Sequence, residues 1–301
     1  MDPVGHRPRR AIVIALATAA LAVVAIVSFY VGRPAQAASV VMVGAGDIAH
    51  CSTTTDEATA KLLDGISGTV FTLGDNVYNS GTSAEFANCY NPTWGRHKTR
   101  TKPSVGNHEY LTSGASGYFN YFGAAAGDPK KGYYSYDRGD WHVIVLNSNC
   151  SQVPCAAGSA QDTWLRADLA NHPNKCTLAY FHAPLYSSGQ YGNSTYVRPF
   201  WKALYQANAD VVLSGHEHDY ERFAPQNPYG ALDSARGIRE FVVGAGGTYL
   251  RPFGTIKPNS QSRNASAHGV LKLTLNSGGY AWKFVPVAGK TFTDSGTASC
   301  H

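Results

Sequence analysis

The chain has 301 residues, 44% of them hydrophobic and 15% charged, which is enough apolar material for one large core and excludes a disordered or fibrous protein. Of its 25 basic and 20 acidic residues, Arg7, Arg9, Arg10, Arg33 and Asp2 lie in the N-terminal segment; the 21 and 19 that remain reduce the formal charge from +5 to +2. With no Lys/Arg run to follow a phosphate backbone, nucleic acid is not expected as a partner.

Residues 1–37 form a segment apart. Three arginines precede an apolar run from Ala11 to Val31, and Ala35-Gln36-Ala37 then supplies small residues of the kind found at an export cleavage site. The segment reads as a signal peptide. The 21 residues of 11–31 are also long enough to span a bilayer, so an uncleaved anchor through 11–31 is the alternative, and the membrane is a partner only in that case. Either way, 38–301 is expected as a single domain, secreted or at least extracytoplasmic.

Val40 to Val43 reads as a buried strand running into Gly46-Asp47. Asp56 to Asp64 has a helical pattern, stopped at Gly65. Thr69 to Leu73 is a second apolar, β-branched run, ending in Gly74-Asp75-Asn76-Val77-Tyr78. A partly helical stretch from Ser83 to Thr101 leads to Gly106-Asn107-His108-Glu109. Residues 110–140, rich in Gly, Tyr and Phe, read as an irregular stretch over the surface, with the Tyr and Phe of 118–136 packing rather than binding substrate.

Trp141 to Leu146 is a strand, Gln161 to Ala170 a helix, and Thr177 to Phe181 a strand that ends at His182. A helix over Tyr196 to Gln206, with Pro199 in its first turn, precedes the strand Asp210 to Ser214 and then Gly215-His216-Glu217-His218. Glu240 to Val243 is a further strand, and Val270 to Leu275 with Tyr280 to Val285 form a hairpin about Asn276-Ser277-Gly278-Gly279.

Six cysteines, at 51, 89, 150, 155, 176 and 300, are an even number suited to an oxidising compartment. Cys150 and Cys155 are spaced to close a short loop and Cys176 with Cys300 to tie down the C-terminus, although sequence alone leaves the connectivity open.

Alternating helices and strands closed by a hairpin indicate an α/β domain with helices outside the sheet. In such folds functional groups gather beyond the carboxyl ends of strands. Asp47, Asp75, Asn107, His182 and His216 all stand at such ends. His216 and His218 point to one side only if the backbone stays extended after Gly215, and taken alone they read as ordinary histidines. Together with Tyr78 and His218, the five strand-end residues supply carboxylate, phenol, amide and imidazole donors suited to iron, zinc or manganese. Seven donors exceed one tetrahedral ion and suit two ions sharing a carboxylate.

The order and content of these motifs resemble the calcineurin-like metallophosphoesterases, and among them the purple acid phosphatases. The resemblance rests on Gly46-Asp47, Gly74-Asp75-Asn76-Val77-Tyr78, Gly106-Asn107-His108-Glu109, Phe181-His182 and Gly215-His216-Glu217-His218. It implies a sandwich of two mixed β-sheets flanked by helices. It further implies that Asp47, Asp75, Tyr78 and His218 hold a ferric ion, and that Asp75 bridges to a divalent iron, zinc or manganese held by Asn107, His182 and His216. His108 would protonate the leaving oxygen as metal-bound hydroxide attacks phosphorus in a small phosphorylated substrate.

Many relatives carry a histidine where this chain has Ala49, and Tyr78 takes the position of the iron-binding tyrosine instead; His50, one residue off the histidine position, reads as a loop residue. Two features depart from the family pattern: Ala49 stands where the purple enzymes usually have glycine, and Tyr191 and Gly192 stand where plant-type relatives carry histidines. Glu109 and Glu217 are expected to orient neighbours by hydrogen bonds, while His97, His142, His172, His268 and His301 have no assignable partner. The expected activity is hydrolysis of phosphomonoesters; the alternatives are a phosphodiesterase acting on nucleotides or lipid head groups, and an inactive secreted binding protein.

Overall fold

The computed structural model describes residues 39–173 and 176–301, together with Met1 and Gly5. The expected signal peptide or anchor lies outside the described residues, among which no helix is long and apolar enough to cross a membrane. The strands of the two main sheets are β1 (Val40–Ala45), β2 (Thr69–Leu73), β3 (Thr101–Ser104), β4 (Tyr134–Arg138), β5 (Trp141–Val145), β6 (Cys176–Tyr180) and β7 (Val211–Ser214). They continue with β8 (Tyr220–Phe223), β9 (Arg239–Val243), β10 (Ser260–Asn264), β11 (Gly269–Asn276), β12 (Gly279–Pro286) and β13 (Ser295–Ser299). The helices that carry packing are α1 (Thr55–Asp64), α2 (Ser116–Phe122), α3 (Ala160–Asn171) and α4 (Arg198–Gln206).

Two mixed sheets result, one in the order β13-β12-β11-β1-β2-β3 and one in the order β10-β8-β9-β7-β6-β5-β4. β1, β2 and β3 are mutually parallel, as are β5, β6, β7 and β9. Their apolar runs are continuous because both faces are covered. In β7, Val211 and Leu213 enter the core between the sheets while Val212 enters a second core under α3 and α4. Leu178 and Tyr180 of β6 likewise alternate with Ala179 and Phe181. Aromatic contacts join the sheets, with Phe71 6.0 Å from Tyr180 and Phe241 5.7 Å from Trp282 between ring centroids. Such pairs add to the area they remove from water.

The helix α4 buries Phe200, Trp201 and Leu204 and starts with Pro in its first turn, where a missing N–H costs nothing. Its neighbour α3 is capped by Ser159, whose side chain accepts from Asp162 N. Disulfides join Cys51 to Cys89, Cys150 to Cys155 and Cys176 to Cys300, so both expected pairings form and the remaining two cysteines pair with each other.

Residues 110–140 correct the expectation of an irregular surface stretch. They contain α2, which buries Tyr118, Phe119 and Phe122, and the edge strand β4. Glycines at 114, 117 and 123 obscure the pattern in the sequence, yet three bulky side chains on one helical face suffice to dock it. The expected hairpin forms from β11 and β12, each strand one residue longer at both ends.

Candidate metal centre

The parallel strands β1, β2 and β3 of one sheet and β6 and β7 of the other end at one edge of the sandwich, and each is followed by a residue predicted to bind metal. The turns that aim these side chains are sharp. Asp47, Asp75 and His216 adopt φ of 58°, 46° and 70°, a left-handed conformation rare outside glycine and concentrated at functional sites. Close approach also dictates Gly106, where a Cβ would stand 2.1 Å from Asp75 Oδ1, and Gly215, where it would stand 2.6 Å from Asp47 Oδ2.

Glu109 fastens the loops. Fully buried, its carboxylate accepts the backbone N–H of Asp75 at 3.0 Å, Asn76 at 2.7 Å, Val77 at 3.3 Å and Gly106 at 2.7 Å. Burial and the nearby Asp75 charge push its pKa up to about 8. Glu217 plays a smaller part of the same kind, accepting Tyr191 N at 2.6 Å. Both follow the expectation that these glutamates orient neighbours.

The seven predicted donors converge in two groups. In the first, Tyr78 Oη lies 2.7 Å from Asp47 Oδ1, 3.1 Å from Asp75 Oδ2 and 3.2 Å from His218 Nε2. In the second, Asn107 Oδ1 lies 2.9 Å from His182 Nε2 and 3.0 Å from His216 Nδ1. Asp75 Oδ2 stands between the groups, 3.2 Å from His182 Nε2, and Asp75 Oδ1 accepts His108 N at 2.9 Å.

This arrangement fits cations on its donor chemistry. A carbonyl only accepts, so His182 Nδ1 donates to Leu73 O at 2.7 Å and His218 Nδ1 donates to Tyr249 O at 2.7 Å. In the neutral ring, the bare Nε2 lone pair of His182 then faces Asn107 Oδ1 and Asp75 Oδ2, and the Tyr78 hydroxyl has a single proton for Asp47 Oδ1, Asp75 Oδ2 and His218 Nε2, so lone pairs face one another unless a cation stands between. Without one, a proton takes its place. Burial lowers the His182 pKa, but the charge and hydrogen bond of Asp75 outweigh it and raise the ring to about 10. Burial and the charge of His182 push His216 down to about 4. Asp75 and Asp47 are lowered, because His182 and His218 respectively overcome the cost of burial. Burial and the two aspartates hold Tyr78 well above the ordinary phenol value.

The centre opens into a cavity of about 350 Å³ lined by Asp75, Asn107, His108, His216 and His218. His108 Nδ1 donates to Asn79 O at 2.5 Å, and its Nε2 lies 3.9 Å from Asp75 Oδ2. Tyr191, Asn193, Ser194, Tyr196 and Arg251 complete the lining. Of these, Tyr191 occupies the position noted above for plant-type histidines, whereas Arg251 belongs to no motif and is tied in only by the fold, its N–H donating to His218 O at 3.0 Å.

Other sequence readings need correction. The chain does not stay extended after Gly215: Glu217 N bonds to Gly215 O and Asp219 N to Glu217 O, so tight turns bring His216 and His218 to their separate donor groups. His50 lies in a two-residue strand rather than a loop, outside the donor cluster, bonded to Ser52 Oγ at 2.7 Å. The unassigned histidines all have partners, most of them distant in sequence. His142 lies between Asp137 and Asp168 at 2.8 and 2.7 Å, His97 meets Asp64, His172 meets Asp168, His268 meets Thr248 O and His301 meets Asp210.

Residues 40–220 match the family model of the calcineurin-like phosphoesterases. Purple acid phosphatase 21 of Arabidopsis thaliana is 34% identical over 152 residues, covering 47% of this chain and 34% of that protein. Purple acid phosphatase 22 of the same plant is 32% identical over 155 residues, with the same coverage of 47% and 34%. The chain thus spans about a third of the length of these curated relatives. Among solved structures, the purple acid phosphatase PPD1 from yellow lupin seeds superposes with a TM-score of 0.70 at 20% identity, covering 89% of this chain and 55% of that one. At that identity the likeness speaks for the fold.

Proposed function

The chain belongs to the calcineurin-like phosphoesterase family, and from that premise we propose that it is an exported phosphatase that hydrolyses small phosphomonoesters at a dinuclear metal centre. The observation that carries the reading is the convergence of seven donors in two groups joined by Asp75 Oδ2. Asp47, Asp75, Tyr78 and His218 would hold one ion, ferric by the resemblance to purple acid phosphatases, and Asp75, Asn107, His182 and His216 a divalent iron, zinc or manganese ion. When bound, such a pair neutralises charge on a phosphoryl group and makes water nucleophilic near neutral pH.

The chain's own groups do the rest. Leu73 O and Tyr249 O keep the protons of His182 and His218 on Nδ1, so that both rings present Nε2 to the centre. Asn79 O keeps a proton on His108 Nδ1, which leaves Nε2 to carry the mobile proton on the cavity side. From there it passes to the departing oxygen, which leaves poorly as an alkoxide. Three disulfides support a site of action outside the cytoplasm, with 1–37 as the export or anchoring segment and 38–301 as one domain.

The test is substitution at the joint of the two groups. Asp75→Asn and His216→Ala should each lower kcat for an aryl phosphate by about three orders of magnitude or more, since several kcal/mol of charge stabilisation is removed. Their far-ultraviolet circular dichroism should match that of the parent. Near-normal turnover in either variant would refute the assignment.

A further inference from the structure

We propose that Arg251 and Tyr191 form a second anion-binding subsite beside the metal centre, selecting phosphomonoesters whose leaving group carries a further carboxylate or phosphate. The inference rests on the phosphomonoesterase reading above and extends it to the class of leaving group.

Arg251 lines the same cavity as Asp75, His108 and His216. Among the described residues, no carboxylate lies within ion-pair distance of its guanidinium and no acceptor is hydrogen-bonded to it; its contact is with the Tyr191 ring, 4.9 Å from the centroid. Arg96, by contrast, binds both Glu57 and Asp64 at the surface. A guanidinium supported on a ring face keeps its N–H donors free at its edge, in a fork that matches the two oxygens of a carboxylate or phosphate.

Both residues are placed by the strand-end motif that supplies the histidines. Tyr191 N donates to Glu217 Oε1 at 2.6 Å, and Arg251 N donates to His218 O at 3.0 Å. The Tyr191 ring, itself 59% exposed, lies 5.3 Å from that of His216 at 30° between planes. Side-chain contacts thus run from His216 to Tyr191 and from Tyr191 to Arg251. The transferred phosphoryl group already has the two proposed ion positions and His108 to neutralise it, so a further cation held on the Tyr191 ring in the same cavity serves the other end of the substrate.

The full chain, loaded with metal, is assayed on 3-phosphoglycerate and glycerol 3-phosphate, which differ by a carboxylate in place of a hydroxymethyl group. The parent should favour 3-phosphoglycerate in kcat/KM, chiefly through KM. Arg251→Gln should reduce that preference about 10- to 100-fold, as expected for loss of a charge-assisted hydrogen-bonded pair, and Arg251→Lys should keep part of it. Equal losses on both esters would assign Arg251 to the transferred phosphate and overturn the proposal, as would an unchanged ratio.

Calorimetric binding of phosphonoacetate against methylphosphonate reads the same selectivity without turnover. Hydrolysis of neither ester would sink the phosphomonoesterase reading. A phosphonoacetate preference abolished by Arg251→Gln would still establish the subsite, and its absence in the parent would refute it.

Discussion

Glu109 offers a direct measure of what holds the metal-binding loops in place. Its carboxylate is fully buried and accepts four backbone N–H groups from the loops after β2 and β3, including those of Asp75 and Asn76. Glu109→Ala leaves these donors facing a void. A buried donor left unpaired costs about 1 to 3 kcal/mol, so even at the lower end four of them amount to about 4 kcal/mol. That is a large fraction of the roughly 5 to 15 kcal/mol by which a domain is stable. Glu109→Gln keeps the volume and one acceptor oxygen and should lose about half as much. Chemical denaturation, followed by tryptophan fluorescence with and without added metal, reads both variants. A loss below about 1 kcal/mol for Glu109→Ala would refute the view that this side chain anchors the loops.

Two further outcomes follow from the geometry. His108→Ala should lower kcat about 10²- to 10⁴-fold on an alkyl phosphate, the usual range for a general acid, and much less on a nitrophenyl phosphate whose leaving group needs no proton; comparing kcat on the two esters checks this, and equal losses would argue against proton donation. His142, buried between Asp137 and Asp168 with His172 stacked 4.3 Å away, has its pKa raised above 6.5 because those carboxylates outweigh burial, while Asp168 is lowered below 3.8. A raised histidine value stabilises the fold fully below its unfolded value and ceases to as pH rises through its folded one; a lowered aspartate value stabilises above its unfolded value and is lost on acidification. The midpoint gap between the parent and His142→Ala should therefore be widest between about pH 4 and 6.5 and should shrink in alkali; a gap that grows with pH in urea titrations would reverse the assignment.

The site was legible because it sits where apolar runs stop. Each run that becomes β1, β2, β6 or β7 is continuous, since a strand covered on both faces has no polar alternation, and each ends at a glycine or phenylalanine followed by Asp47, Asp75, His182 or His216. Ser260–Asn264 and Ser295–Ser299 were not legible as strands, because edge positions ask little of their side chains and both segments are almost wholly polar or small. Asp168, which meets His142, and Asp210, which meets His301, come from elements tens of residues away, so no local pattern announces them. Arg251 has no motif at all: one backbone hydrogen bond to His218 O brings it to the cavity. The turns at Gly215 to Asp219 escaped because an alternating pair of histidines looks the same on a strand as on two tight turns.

The central claim is that the donors of this edge hold two ions. Elemental analysis of the purified chain by inductively coupled plasma mass spectrometry, alongside Asp75→Asn, tests it most directly. Two ions per chain in the parent and at most one in the variant is the predicted result, because Asp75 Oδ2 faces both donor groups; an active parent with no bound metal, or a variant that keeps both ions, would contradict it.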